Sequence, residues 1–165
     1  MVYTISLMTN QQKTVLIVED DSDWRLLYQE EIARSGWRSI SFDNVPQALH
    51  AIRSGDVMYD AAIVDKGGSN SRRGMADIIA HRDGLEVLRE LKKQQPFCVR
   101  ILSTGELWSK DIFEDKTICL HMFMDKGYFS ENRRAMFAKL KSWNVAPNLE
   151  QPILYTSPRR RERMM

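Results

Sequence analysis

Hydrophobic residues along this chain alternate between short continuous runs and stretches with helical spacing. The first run spans residues 15–18, and the stretch after it carries Trp24, Leu27, Tyr28 and Ile32 on one helical face. A continuous apolar run of this length is typical of a parallel strand covered on both faces, whereas spacing of three and four residues is typical of a helix. We predict further strands at residues 37–42, 61–65, 98–102 and 118–124, each followed by a helix.

Polar residues and glycines mark where these helices begin and end. Asp21 or Ser22 can cap the first helix, and Gly36 can end it. Asn44 can cap the second helix, and Gly55 closes it. The last helix is expected to bury one stripe of side chains, formed by Met136, Phe137, Leu140 and Trp143.

Five β/α units of this kind predict an α/β fold with a doubly wound, five-stranded parallel sheet. Strand order 2-1-3-4-5 is one of two common solutions, and it places the first strand beside the third. Ligands of open parallel sheets bind at the carboxyl ends of the strands. Glu19 and Asp20 follow the first strand, Asp65 ends the third and Lys126 follows the fifth. We therefore expect these four side chains to share one pocket.

Acidic side chains gathered at one edge repel one another unless a cation neutralises them. Mg²⁺ binds octahedrally through one or two carboxylates and several waters, which suits an exposed acidic cluster better than the protein cage typical of Ca²⁺. Residues 19, 20 and 65 therefore indicate a Mg²⁺ site with a reactive carboxylate. The alternative is that acids after strands act only as helix caps and turn formers, which explains each acid taken singly.

Composition narrows the class of protein. The chain has 165 residues, 43% apolar and 28% charged, which fits one soluble domain with a core. Its apolar runs fall short of the about 18 residues that a membrane helix needs, and its start lacks a signal-peptide pattern, so we expect a cytoplasmic protein without membrane contact. Cys98 and Cys119 lie in predicted strands without a zinc or redox motif and are expected to be core thiols.

The last residues differ in character from the rest of the chain. Residues 159–163 read Arg-Arg-Arg-Glu-Arg, and without them the chain is close to neutral. Such a segment contacts nucleic acid or an anionic surface, or is simply solvated, and both interpretations stay open. Pro147, Pro152 and Pro158 are expected to break regular structure after Trp143.

Two stretches in the first half of the chain resemble the receiver domain of two-component response regulators. Residues 15–21 read Val-Leu-Ile-Val-Glu-Asp-Asp and are similar to the first strand of that family, with its acidic pair at Glu19 and Asp20. Asp65, after Tyr-Asp-Ala-Ala-Ile-Val, matches the aspartate that accepts a phosphoryl group in the family. Agreement at separated positions in the same order makes the resemblance specific.

The second half continues the resemblance. Residues 101–105 read Ile-Leu-Ser-Thr-Gly and match the fourth strand with its hydroxyl switch residue, here Thr104. Phe123 and Lys126, in Phe-Met-Asp-Lys, match the aromatic residue and the lysine of the fifth strand. The resemblance covers roughly residues 13–143 and implies the flavodoxin-like receiver fold.

The resemblance implies a phosphorylation site with a metal ion. Asp65 would accept a phosphoryl group from a phosphohistidine. Mg²⁺ would be held by Asp20, Asp65 and the backbone carbonyl of Gly67, with Glu19 acting through a metal-bound water. These four residues are the expected metal ligands.

The resemblance also implies a switch. Lys126 would pair with one phosphoryl oxygen as a point charge, and the Thr104 hydroxyl would swing to another. Phe123 would then turn into the space that Thr104 vacates. A phosphate of about −1.5 to −2 charge can bias such a two-state element.

One departure from the family concerns the segment after Asp65. Asp83-Gly84 resembles a pair that receivers carry much closer to the phosphoacceptor, but here Gly84 lies nineteen residues after Asp65. Residues 66–82 are therefore read as an inserted loop after the third strand. Two interpretations of this loop stay open: it is a lid or partner surface, or it is a passive insert.

These observations predict a flexible N-terminus at residues 1–12, a receiver domain at 13–143 and a C-terminal tail at 144–165 without a separate output or DNA-binding domain. A histidine kinase or histidine phosphotransfer protein would donate the phosphate, a downstream protein would read it, and a homodimer is left open. The protein would be a signalling receiver, not an enzyme beyond its own phosphorylation and dephosphorylation. The alternative is a receiver-like scaffold module that is not phosphorylated. A magnesium phosphohydrolase is disfavoured because no D-x-D-G-T/V motif follows the first strand.

Overall fold

The computed structural model describes residues 12–66, 84–105, 110–143, 146–150 and 152–157. Strands and helices alternate along these residues. They are β1 (Thr14–Val18), α1 (Ser22–Arg34), β2 (Arg38–Phe42), α2 (Val45–Ser54), β3 (Ala61–Asp65), α3 (Gly84–Gln94), β4 (Val99–Thr104), α4 (Lys110–Glu114), β5 (Met122–Asp125), α5 (Phe129–Lys141) and β6 (Ile153–Tyr155). A 3-10 turn, Lys126–Tyr128, joins β5 to α5.

The strands form one parallel sheet with the order β2-β1-β3-β4-β5-β6. The order expected for the first five strands is present within it, but the expected total of five is wrong. Register aligns the strand ends, since Val18 pairs with Val64, Asp65 with Ser103 and Thr104 with Asp125. The carboxyl ends of β1, β3, β4 and β5 therefore meet along one edge.

The sixth strand comes from the tail that was expected to lack regular structure. β6 pairs in parallel with β5, and its Leu154 packs against the core cluster that contains Phe123. Just beyond the strand, Thr156 Oγ1 donates a hydrogen bond of 3.2 Å to Asp125 Oδ2. The prolines did not prevent this strand because they stand outside it in the sequence, and β5 offered an unpaired row of backbone groups.

Hydrophobic side chains fill both sides of the sheet. Alternate residues of each strand face opposite sides, so Leu16 and Val64 lie in one cluster and Ile17 and Ile63 in the other. The first cluster packs under α2 and α3, with α3 burying Leu85, Val87, Leu88 and Leu91. The second packs under α1 and α5 and includes Tyr28, Ile32, Met136, Phe137 and Leu140. Within the described ranges, none of the helices has the length and apolarity needed to cross a membrane.

The boundaries predicted for the first two helices agree with the structure, whereas the last helix ends at Lys141, before the half-buried Trp143. Asp21, rather than Ser22, caps α1, because its Oδ1 accepts hydrogen bonds from the backbone N–H groups of Asp23 and Trp24 at 2.9 and 3.2 Å. Asn44 caps α2. Gly55 ends α2 with a φ of +72°, a left-handed conformation that glycine adopts at little cost.

The segment before β5 differs from the prediction. The strand expected at 118–124 begins at Met122, and Cys119 lies in a loop with a φ of +47° instead of in a core strand. Cys98 is buried as expected, whereas Cys119 is only half-buried. The reason is the Arg100 side chain, whose Nε donates to the carbonyls of Ile118 and Cys119 at 2.8 and 3.1 Å and so occupies groups that a strand would pair.

Gly84 allows α3 to begin directly against the backbone of Asp65. Its N–H donates to the Lys66 carbonyl at 2.8 Å, and a Cβ at this position would lie 2.0 Å from the Asp65 carbonyl oxygen. Backbone cannot move away as a flexible side chain does. The close approach therefore requires glycine.

We predict that Gly84→Ala lowers the free energy of unfolding by at least about 2 kcal/mol, because the added methyl group overpacks the start of α3. Urea unfolding followed by circular dichroism measures this. Gly105→Ala is the matched control, because a Cβ there meets nothing within 4 Å. Equal effects of the two substitutions would show that the close approach costs nothing.

Candidate functional site

Three carboxylates meet at the carboxyl edge of the sheet. One oxygen from each of Glu19, Asp20 and Asp65 lies within 4.8 Å of the other two. Glu19 follows β1 and Asp65 ends β3, and these strands are neighbours in the sheet. The juxtaposition expected from the sequence is therefore present. Glu19 and Asp65 are buried, whereas Asp20 is exposed.

Lys126 lies against two of these acids. The 3-10 turn after β5 carries it to the same edge, where its Nζ donates to Glu19 Oε1 at 2.8 Å and lies 2.9 Å from Asp65 Oδ1. Nζ also lies 2.8 Å from Glu19 Oε2, so the ammonium group contacts both oxygens of this carboxylate. One ammonium group thus offsets part of the charge of two carboxylates.

Burial and neighbouring charges shift the pKa values of Glu19 and Lys126. Burial of Glu19, with the negative charge of Asp65 beside it, raises the pKa of Glu19 to about 7, although Lys126 acts in the opposite direction. Burial alone would lower the pKa of Lys126, but the charges of Asp65 and Glu19 outweigh it and the net shift is upward. Without a further cation, the site therefore favours a charged Lys126 and a Glu19 that readily accepts a proton.

Aromatic side chains of α1 pack beside the site, and one of them contacts Lys126. The Trp24 ring centroid lies 5.4 Å from Lys126 Nζ and 5.6 Å from the Phe129 ring. The Tyr28 hydroxyl shares a hydrogen bond of 2.6 Å with Ser103 Oγ, and Ser103 is the sheet neighbour of Asp65. Helical spacing had placed Trp24 and Tyr28 on one face, but it could not show which strand they would meet.

Asp125 was also missed by sequence reasoning. It is buried and directly precedes Lys126 in the sequence. Its Oδ1 accepts a hydrogen bond from the Gly127 N–H at 2.9 Å, and its Oδ2 accepts one from Thr156 Oγ1. The signal available was its place directly before the lysine. Its partner could not be foreseen because β6 was not predicted.

The two expected switch residues lie at the carboxyl ends of β4 and β5. Thr104 is buried and is the sheet neighbour of Asp125. Phe123 is 1% exposed, and its ring contacts Phe113 edge-on with 5.4 Å between centroids. Leu154 of β6 pairs with Phe123 in the sheet. Phe123 therefore already lies inside the core.

Gly67, the expected backbone ligand, lies outside the described residues, as does nearly all of the inserted loop expected at 66–82. The described chain on either side shows how the segment is anchored. Lys66 follows Asp65, and its carbonyl accepts the hydrogen bond from Gly84 that starts α3. Both ends of the intervening segment are therefore fixed beside the acidic cluster.

The donor set fits a hard divalent cation. Oxygens alone are offered, from carboxylates that converge within 4.8 Å, and the exposed Asp20 leaves the site open to water ligands. Mg²⁺ prefers this combination of a few carboxylates with several waters.

Solved structures that resemble this one are response regulator receiver domains. A CheY-like receiver domain protein from Methanospirillum hungatei JF-1 is 17% identical, has a TM-score of 0.61 and matches over 79% of this chain and 95% of its own. A response regulator from Thermotoga maritima in complex with Mg²⁺-BeF is 24% identical, with a TM-score of 0.57, over 78% and 99% of the two chains.

A third similar structure is the receiver domain of a sensor histidine kinase from Pseudomonas aeruginosa PAO1, with a magnesium ion in its active-site cleft. It is 18% identical and has a TM-score of 0.59, over 80% of this chain and 97% of its own. No family model and no curated protein sequence matches the chain. The chain therefore has the α/β receiver fold, and the role of its site has to be argued from its residues.

The raised pKa of Glu19 predicts how stability depends on pH in the metal-free protein. A carboxyl whose folded pKa lies above its unfolded value stabilises the fold fully below the unfolded pKa, and this contribution is lost as pH rises from about 4.5 to about 7. The loss amounts to roughly 3 kcal/mol at most. Glu19→Gln, which cannot titrate, should show a flatter decline.

Urea unfolding with a chelator present, repeated across this pH range, measures the difference. Glu131→Gln is the control, since Glu131 is exposed in the first turn of α5. If Glu19→Gln and the wild type lose stability in parallel, the buried carboxyl does not titrate as described.

Proposed function

We propose that the chain is the phosphoacceptor receiver of a two-component or phosphorelay system and that Asp65 takes the phosphoryl group. The observation that carries this proposal is the pairing of Asp65 Oδ1 with Lys126 Nζ at 2.9 Å, beside Glu19 and Asp20 at the carboxyl edge of a receiver-type sheet. This is the place where open parallel sheets carry their chemistry.

Asp65 is suited to act as the nucleophile. One carboxylate oxygen would attack the phosphorus of a phosphohistidine, forming a P–O bond as the P–N bond breaks, and the imidazole would leave with the electron pair of that bond. Lys126 already contacts Asp65 and would donate to a phosphoryl oxygen, offsetting its negative charge. The Trp24 ring, with its centroid 5.4 Å from Nζ, adds a cation–π contact to this ammonium group.

A bound Mg²⁺ would neutralise charge on the phosphoryl oxygens. Asp20, Asp65 and the carbonyl of Gly67 would hold it, and Glu19 would reach it through a water. Metal binding would favour the ionised form of Glu19, since a nearby cation lowers the pKa of a carboxyl. Mg²⁺ binding would thus increase the ionised fraction of Glu19 at neutral pH.

Thr104 and Phe123 are proposed to relay phosphorylation to the surface. The Thr104 hydroxyl would turn toward a phosphoryl oxygen and disturb its neighbour Asp125. Phe123 is already packed against Phe113, so the change would alter the packing of the ring instead of admitting it into an empty space. Because Asp125 also binds Thr156, the tail strand β6 belongs to the same relay.

The proposed donor is a histidine kinase or a histidine phosphotransfer protein, and the proposed reader is a downstream protein. A homodimer is one form that the signalling state could take. The chain would promote only its own phosphorylation and dephosphorylation. A scaffold module that is never phosphorylated is the rival, and the contact of Lys126 with Asp65 counts against it, because a scaffold has no need of that pair.

We predict that the wild-type protein gains one phosphoryl group from acetyl phosphate in the presence of Mg²⁺ and that Asp65→Asn gains none, because the amide is not a nucleophile. Intact-protein mass spectrometry measures both. Asp56→Asn is the control, since Asp56 is exposed at the opposite edge of the sheet. Labelling of Asp65→Asn would refute Asp65 as the acceptor, and an unlabelled wild type would favour the scaffold.

We predict that Asp20→Asn weakens Mg²⁺ binding by roughly tenfold or more, equivalent to about 1.4 kcal/mol, because one carboxylate ligand is lost. The same change should raise the stability of the metal-free protein by relieving repulsion with Glu19 and Asp65. Isothermal titration calorimetry measures the first effect and urea unfolding the second. Asp23→Asn, at an exposed position in α1, serves as the control, and Mg²⁺ affinities that agree between all three proteins would remove Asp20 from the site.

A further inference from the structure

A cavity of about 950 Å³ lies near the amino-terminal ends of β4 and β5, at the end of the sheet opposite to the acidic cluster. It is bounded by the residues that lead into β4 and β5 and by the chain segment 146–150, which crosses over them before β6. Apolar side chains make up much of its lining, namely Phe97, Phe113, Leu120, Pro147, Leu149 and Pro152. Arg100, the second residue of β4, also lines it.

Arg100 is an unusual residue for such a position because it is only 1% exposed. Its Nη1 donates to the carbonyls of Cys98 and Pro96 at 2.8 and 3.3 Å, and its Nε donates to those of Ile118 and Cys119. These contacts fix the plane of the guanidinium group. None of the contacts among the described residues joins its Nη2 to an acceptor, and none pairs Arg100 with a carboxylate.

A buried guanidinium without a counter-ion is energetically unfavourable. Arginine stays protonated in proteins, so the charge cannot be removed by loss of a proton. Carbonyl dipoles compensate for part of the lost hydration, but an ion in a dry environment is normally paired. An anion placed at Nη2 would supply a negative charge, which a water molecule at this nitrogen cannot supply.

Hydrogen bonds also fix other parts of the cavity lining. His121 Nδ1 accepts a hydrogen bond of 3.1 Å from the Arg100 backbone N–H. Burial and the charge of Arg100 lower the pKa of His121 to about 4, so this histidine is neutral at neutral pH. The Ala146 N–H donates to the Phe97 carbonyl at 3.2 Å. Segment 146–150 is thus held at its first residue to the chain that leads into β4.

Other charged groups line the cavity farther from this anchor. Lys92 and Lys116 add positive charge, and Glu114, Asp115 and Glu150 add negative charge. Asp115 is occupied by Arg89 and Thr117, at 3.3 and 2.8 Å. Among these cationic side chains Arg100 is the buried one, so its charge is the least screened by water.

We propose that this cavity binds a small organic monoanion, a carboxylate carried on an aromatic or aliphatic body, with Arg100 Nη2 as the anchor. The single unpaired nitrogen fits one carboxylate oxygen, and one buried positive charge is neutralised by one negative charge. The apolar lining receives the body of the ligand. The site is independent of phosphorylation at Asp65.

Phenylacetate is a suitable probe, and phenylacetamide is its neutral counterpart of the same shape. In amide-detected NMR of the full chain, phenylacetate should shift the Arg100 Nε–H resonance and the backbone amides of residues 118–121 in a saturable manner. Phenylacetamide should bind at least roughly tenfold more weakly, because a charge-assisted hydrogen bond is replaced by a neutral one. Equal affinities, or no saturable shifts with phenylacetate, would overturn the proposal.

Variants locate the anchor. Arg100→Met keeps the aliphatic length and removes the guanidinium, so phenylacetate should lose its advantage over phenylacetamide. Leu149→Trp fills the cavity from its outer wall and should abolish binding of both probes while Arg100 remains; it also decides the matter if Arg100→Met does not fold. Lys116→Gln is the control, since Lys116 is an exposed cation on the same wall. Loss of binding in Lys116→Gln with retention in Leu149→Trp would place the anion at the surface and refute the site.

Discussion

The repulsion between Glu19 and Asp65 is the constraint on which the functional edge depends. Pairing of β1 with β3 holds the two acids together, and Lys126 offsets only part of their charge. Burial of Glu19 keeps water from screening the pair, which is why a buried carboxyl here takes up a proton so readily. An excess of negative charge therefore remains at this end of the sheet. Glu19, Asp65 and Lys126 thus form the candidate functional site and also influence how stability depends on pH.

The central sheet and the acidic site could be predicted from the sequence because both rest on local signals. The run at 15–18 and the acid at its end are contiguous, and parallel topology then brings Asp65 beside them. β6 could not be predicted in this way. The three residues of β6 are too few to show a hydrophobic periodicity. Their strand conformation depends on pairing with the otherwise unpaired edge of β5. The strand conformation predicted for Cys119 is wrong for a related reason. Arg100, a residue distant in sequence, donates a hydrogen bond to the Cys119 carbonyl in its loop.

β4 connects the two sites described for this molecule. Arg100 stands near its amino end, beside the cavity, and Thr104 ends it beside the acidic cluster. Between them the strand is buried along its whole length and pairs with both β3 and β5. The chain thus keeps a cationic pocket and an anionic pocket at opposite ends of one strand. The two groups of charge are thus separated along β4 and do not contact each other directly.

The tail strand has a consequence for assembly. In a sheet ending at β5, that strand would present its backbone to any passing chain, and pairing of two such edges would join molecules into a continuous sheet. β6 takes those hydrogen bonds and leaves a border only three residues long, with proline at 152 and 158 in the sequence on either side. Short borders flanked by proline are poor templates for further strands. Any self-association on this side of the molecule must therefore use side-chain surfaces of helices and loops, which can be reversed far more readily than a shared sheet.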